Sequence, residues 1–167
     1  SRVGRELTAS LSCANVCISR MRNHDDYIFR VRDLAELHGR RYDGKRNRIK
    51  GFLRACSEVV VRPLVAADVL NAQAVFEAWH VPKIGCPGGG PTSDHLEFEC
   101  QRWALARAFE AFDALGLFGT AIEIEGKLAA YLIASGLTDT MACIHLEYHR
   151  PNLQGIAQTL FWEACRG

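Results

Sequence analysis

With 167 residues, 49% hydrophobic and 23% charged, the chain has the size and mix of one folded domain that buries a core without staples. Its 20 basic and 19 acidic residues nearly cancel, yet Arg40, Arg41, Lys45, Arg46, Arg48, Lys50 and Arg54 fall in one stretch whose single acid is Asp43, leaving the remainder net acidic. No apolar run reaches the roughly 20 residues of a membrane span, and residues 1–7 lack the apolar stretch of a secretory signal. The expectation is therefore a cytoplasmic protein, or the cytoplasmic domain of a membrane protein, with no stable membrane insertion by this segment. The charge asymmetry points to an anionic partner, a phosphate backbone or a phosphorylated small ligand.

Residues 1–24 carry weak signals (Leu7, Leu11, Val16, Ile18) and are expected to be a linker or the tail of a preceding module; residues 25–167 form the domain proper. Residues 27–31 (Tyr-Ile-Phe-Arg-Val) predict a strand. Asp33 then caps a short helical turn over residues 34–37, ended by Gly39. Ile49, Phe52, Leu53 and Cys56 recur at i, i+3, i+4, i+7 and predict a helix over 45–56. On it Arg46, Lys50 and Arg54, spaced by four, form a stripe away from the apolar side. Lys45 and Arg46 sit in the first turn, where the helix dipole disfavours cations, so selection for binding competes with an ordinary solvated basic face as their explanation.

Residues 58–62 predict a buried strand closed by Pro63, and 66–79 a helix with Val69, Ala72, Val75, Phe76 and Trp79 inward. A loop over 82–94 contains Pro87-Gly-Gly-Gly-Pro91, matches no nucleotide-binding glycine pattern, and is either an active-site lid or a plain surface loop. Thr92-Ser93-Asp94 caps a helix running to about Leu115, with Phe98, Leu105, Phe109 and Phe112 on one side and Gly116 and Gly119 at its end. Residues 120–124 and 128–134 form a hairpin, 141–148 a further strand, and 154–165 a closing helix. This order predicts an α+β domain, a mainly antiparallel central sheet flanked by helices.

A period of two places Cys143, His145 and Glu147 on one face of the 141–148 strand. A His beside a Glu there is either a general-base pair or a polar pair fixing the loop after it. Glu97 and Glu99 begin the long helix, where capping alone accounts for them. The seven cysteines (Cys13, Cys17, Cys56, Cys86, Cys100, Cys143, Cys165) lack zinc-site spacing; reduced, buried thiols and no bound metal are expected.

The run Asp26-Tyr27-Ile28-Phe29, Asp33-Leu34, Leu37-x-Gly39, Gly44-Lys45-Arg46-Asn47-x-Ile49-x-x-Phe52 resembles the signature of the phosphatidylglycerol lysyltransferase C-terminal family. Gly116-Leu-x-Gly119, Ile144-His145-x-Glu147 and Gly155 follow in the family's order. The resemblance implies a GNAT-like fold (acyl-CoA N-acyltransferase type) that moves an aminoacyl group from a charged tRNA to a lipid or peptide acceptor, needing no further cofactor. It assigns Glu147 and His145 to catalysis, and Lys45, Arg46, Asn47, Arg48, Lys50, Glu99 and Gly155 to substrate binding, with Asn47 orienting the local backbone. Two departures stand out: Tyr148 occupies the place of a family lysine, and the chain stops at Gly167 before a further strand and an N-R-E-x-D-x-G stretch. A fragment incomplete at its C-terminus is the expectation. An acetyl-CoA-dependent GNAT enzyme is the alternative, resting on Asn152-Leu-Gln-Gly155-Ile-Ala157, which departs from the usual pyrophosphate loop at its first residue. A non-catalytic tRNA- or anion-binding module is a third.

Overall fold

The computed structural model describes residues 27–80 and 93–167. The elements are α1 (Val31–Glu36), α2 (Asp43–Ala55), β1 (Val59–Pro63), α3 (Val69–His80), α4 (Ser93–Glu110), β2 (Leu117–Ile124), β3 (Lys127–Thr138), β4 (Met141–His149) and α5 (Ile156–Ala164). Four strands pair antiparallel in the order β1-β2-β3-β4. The expected tail over 1–24, the acids Asp25 and Asp26, the cysteines Cys13, Cys17 and Cys86, and most of the loop over 82–94 lie outside the described residues.

Helices cover both faces of this sheet, which explains why β3 is apolar without alternation from Leu128 to Ala134. On one face α3, α4 and the turn after α4 pack Phe76, Leu105, Phe109 and Phe112 against Ala121, Tyr131, Ile133 and Tyr148. On the other, α2 and α5 pack Phe52, Ile156 and Leu160 against Ile122, Ala130, Leu132 and Ala134. Phe52 and Ile49 are the residues α2 buries, each contributing roughly 2 kcal/mol by removal of apolar area from water. Leu53, expected on that same side, is instead exposed, because the buried stripe of this 13-residue helix is narrow.

The α+β class is as the sequence predicts, while local expectations need correction, among them the buried strand over 58–62, whose Val60 and Val61 are exposed because β1 is the edge strand of the sheet. Residues 27–30 are not a strand: their side chains are all exposed and no strand among the described residues pairs with them, so β-propensity alone does not make a ladder. Gly119 does not end the long helix but sits inside β2 opposite Ile133, where any Cβ would strike the Leu132 carbonyl oxygen. The helix stops earlier, through turns that finish at Gly116 with φ 58°. The four cysteines among the described residues are not buried: Cys100 is exposed, and Cys56, Cys143 and Cys165 are half-exposed free thiols.

Two irregularities shape the sheet. The β2–β3 register slips after Ile122, leaving Ala129 as the extra residue. Arg150 fills that gap: its backbone N–H donates to the Ala129 carbonyl at 2.8 Å and its Nε to the Leu128 carbonyl at 3.0 Å. In β4, Ile133 pairs with Leu146 and Ala134 with Ile144, so His145 is bulged out of the ladder.

Candidate active-site cleft

The bulge decides where the catalytic candidates point. Glu147 lies opposite Leu132 and so belongs to the α2/α5 face, while Tyr148 lies opposite Tyr131 on the α3/α4 face. One extra residue at 145 breaks the period of two, and His145 follows Leu146 and Ser135 onto the α3/α4 side. There its Nε2 stands 2.8 Å from Ser135 Oγ, exposed to solvent. The expected side-by-side arrangement of His145 and Glu147 therefore does not exist; the sheet separates them.

Glu147 looks into a cleft of about 280 Å³ between α1, α2, β4 and α5, walled by Phe29, Leu34, Leu37, Ile49, Phe161 and Trp162, with Lys45 and Gln158 as its other polar groups. Burial among these walls pushes the Glu147 carboxyl above the usual carboxylate range, and the nearby charges of His149 and Lys45 pull it part of the way back. A carboxylate so placed is a poor resident anion and a good proton acceptor. Beside the cleft, sharing Ala157 and Gln158 with it, lies an open depression lined by His149, Asn152, Leu153, Gln154 and Gly155.

The cleft wall α1 is tied down by two side chains donating to backbone carbonyls. Trp162 Nε1 donates to the Ala35 carbonyl at 2.9 Å. Arg46 donates to the carbonyls of Leu37 and Gly39 and pairs with Asp43. Arg46 is thus largely spent within the molecule, although the sequence places it on an outward basic stripe. Asn47 is exposed and makes no side-chain hydrogen bond among the described residues, so fixing the local backbone falls to Arg46. By contrast Arg48, Lys50 and Arg54 are exposed and have no ion-pair partner among the described residues. Lys45 reaches the cleft itself.

Two other candidates sit elsewhere. Glu99 lies on α4, on the opposite side of the sheet from the cleft, and is taken up by Arg102 at 2.9 Å. Gly155 is buried at the start of α5 with φ 92°, and a Cβ there would collide with the Arg48 carbonyl oxygen. Its smallness lets α5 approach α2 closely, a structural demand that needs no ligand. Tyr148, the departure from the family pattern, is buried away from the cleft, its hydroxyl donating to Gln101 Oε1 at 3.0 Å and its ring edge against Phe76. The substitution therefore leaves the cleft lining unchanged.

Sequence reasoning missed Phe29, Gln158, Phe161 and Trp162 as cleft residues. The last three recur at helical spacing with Ala157 on α5, a signal that could have marked a second inner side of that helix.

A family model described as "Phosphatidylglycerol lysyltransferase, C-terminal" matches residues 3–167. No curated protein matches the chain. Among solved structures, a conserved protein of unknown function from Bacteroides thetaiotaomicron VPI-5482 superposes with a TM-score of 0.78 at 22% identity over 96% of this chain and 53% of its own. Our chain thus spans about half the length of that protein, and the likeness is one of fold. The C-terminal domain of a protein assigned as a lysylphosphatidylglycerol synthetase from Agrobacterium fabrum aligns at TM-score 0.48 and 15% identity, over 79% of this chain and 39% of its own. The PaiA N-acetyltransferase of Thermoplasma acidophilum, in complex with coenzyme A, aligns at 0.49 and 16% over 66% and 71%. No helix among the described residues is long and apolar enough to cross a membrane.

Proposed function

Because the chain belongs to the phosphatidylglycerol lysyltransferase C-terminal family, a GNAT-like acyltransferase type, we propose that it transfers an aminoacyl group from a charged tRNA to a lipid or peptide acceptor bound in the Glu147 cleft. One observation carries this: a desolvated carboxylate and Lys45 line a single cleft whose neighbouring helix α2 offers exposed cations, without an ion-pair partner among the described residues, for a phosphate-bearing donor.

The donor ester is already activated, so the protein's task is positioning and proton movement. Glu147 accepts the proton of the acceptor hydroxyl or amine as its oxygen or nitrogen attacks the ester carbonyl. Lys45 faces the negative charge that develops on the carbonyl oxygen. The bond to the ribose oxygen of the tRNA then breaks, and that oxygen leaves with the proton held by Glu147. His145, across the sheet, has no place in this sequence. Arg48, Lys50 and Arg54 hold the donor's phosphates, Arg46 shapes the wall, and Asn47 is free to meet the same backbone.

The test is transfer of a radiolabelled aminoacyl group from charged tRNA to phosphatidylglycerol or a peptide amine, with acetyl-CoA as the competing donor. Glu147→Gln should lower the rate by roughly 100-fold, within the usual range for losing a general base. Full activity of that variant would remove Glu147 from catalysis. Turnover of acetyl-CoA alone would favour the alternative donor, and binding without transfer to any acceptor would leave a non-catalytic tRNA- or anion-binding module.

A further inference from the structure

We infer that the α5 wall of the cleft is a purine-nucleotide site, in which a purine ring stacks on the Trp162 indole and its 5′-phosphate meets Lys45. Gln158, Phe161 and Trp162 stand at i, i+3 and i+4 on α5 and line the same cleft, so one amide and two aromatic rings share one side of it. The indole is fixed before any ligand arrives: its Nε1 donates to the Ala35 carbonyl at 2.9 Å, and the Arg166 guanidinium lies 4.4 Å from the ring centre. A ring already held in one orientation loses little freedom on stacking, which favours a flat partner.

Chemistry chooses the ligand. The cleft, about 280 Å³, is at the small end of ligand sites, which run from roughly 300 Å³ upward, and suits one fused ring better than a pair of acyl chains. Stacking on an aromatic side chain accepts any base. The Gln158 side chain makes no hydrogen bond among the described residues, and its amide offers a donor beside an acceptor, the complement of an adenine edge. An alkyl chain would be satisfied by Leu34, Leu37 and Ile49 and would leave that amide unanswered. Lys45 is exposed while lining the cleft, so it stands at the rim, without an ion-pair partner among the described residues, where a phosphate arrives. The ribose that joins base to phosphate then lies beside Glu147, which shares the cleft. That this purine is the terminal adenosine of a charged tRNA rests on the proposed function; the site itself does not.

Equilibrium dialysis of the 167-residue chain with radiolabelled adenosine monophosphate tests this. The nucleotide should bind, and ribose 5-phosphate, which lacks the base, should compete roughly tenfold more weakly. Trp162→Phe and Trp162→Leu both lose the bond to Ala35, yet only the second loses the aromatic face, so Trp162→Leu should bind roughly tenfold more weakly than Trp162→Phe. Gln158→Leu should weaken binding about fivefold with an unchanged melting temperature, since the amide ties nothing together in the fold. Equal affinity for ribose 5-phosphate makes the site one for phosphate alone and overturns the proposal. So does equal binding by the two Trp162 variants, undiminished binding by Gln158→Leu, or no binding of the nucleotide to the native chain. Competition by a short RNA ending in a 3′-adenosine, and not by coenzyme A, ties the purine to a tRNA donor; the reverse order supports the purine site while removing that donor. A failed transfer assay leaves the dialysis result standing, and failed dialysis leaves the role of Glu147 to the transfer assay.

Discussion

Glu147 combines a catalytic proposal with a thermodynamic one. Its folded-state affinity for a proton is raised, so the native chain binds more protons than the unfolded chain between the ordinary glutamate range and the raised value. Stability linked to this group is present below that window and lost as pH rises through it. Glu147→Gln should therefore raise the melting temperature at neutral pH, with the gain disappearing at pH well below the ordinary range. Activity runs the other way: transfer should fall as pH drops through the same window. Lys45→Met, by removing a charge that favours the carboxylate, should move that acid limb upward in a pH–rate profile. Asp68 shows the opposite sign. Arg62 donates to both its oxygens at 2.7 and 2.8 Å and to Glu123 at 2.7 Å, holding the Asp68 carboxyl below its usual range. Its contribution is present above the ordinary aspartate range and is lost as pH falls through the depressed value. Arg62→Ala leaves two carboxylates facing each other and should cost on the order of 2 kcal/mol in chemical denaturation. None of this trio was legible in the sequence, since Arg62, Asp68 and Glu123 meet only once β1 and β2 pair.

Among the elements, the α2–α5 contact is the one most sensitive to a single methyl group. Gly155→Ala combines a left-handed backbone with a collision against the Arg48 carbonyl, and should destabilise by about 2–3 kcal/mol, read as a drop in melting temperature. Gly126→Ala, at a turn with φ 73° but open space, should cost less. The helices were readable because their apolar spacing is regular: Ile49 and Phe52 on α2, and Val75 and Phe76 on α3, are buried as predicted. The bulge in β4 was not readable. Its sequence, Met-Ala-Cys-Ile-His-Leu-Glu-Tyr, alternates without a Gly or Pro to mark the irregularity, and the slip emerges only from pairing with β3. The same gap explains residues 27–31, whose β-branched and aromatic content is a strand signal although no strand among the described residues pairs with them.

For the molecule as a whole, charge is distributed by side as much as by number. Arg48, Lys50 and Arg54 should each lower the salt slope of tRNA binding by about one when replaced by Ala, measured by fluorescence anisotropy across salt. Arg46→Ala should instead loosen α1, by roughly 1 kcal/mol, and leave that slope nearly unchanged. The class of fold was legible because both halves of the core announce themselves as apolar periodicity, whereas the cleft was only half legible. Lys45 and Glu147 were named, but the walls come from four separate elements that no local pattern connects. Those walls have one further property. The bonds that hold α1 end on the carbonyls of Ala35, Leu37 and Gly39, which every amino acid possesses. Exchanging Leu34, Leu37 or Phe29 for another apolar side chain therefore removes none of these three hydrogen bonds, so the lining of the cavity can vary in shape while the bonds to the α1 backbone persist.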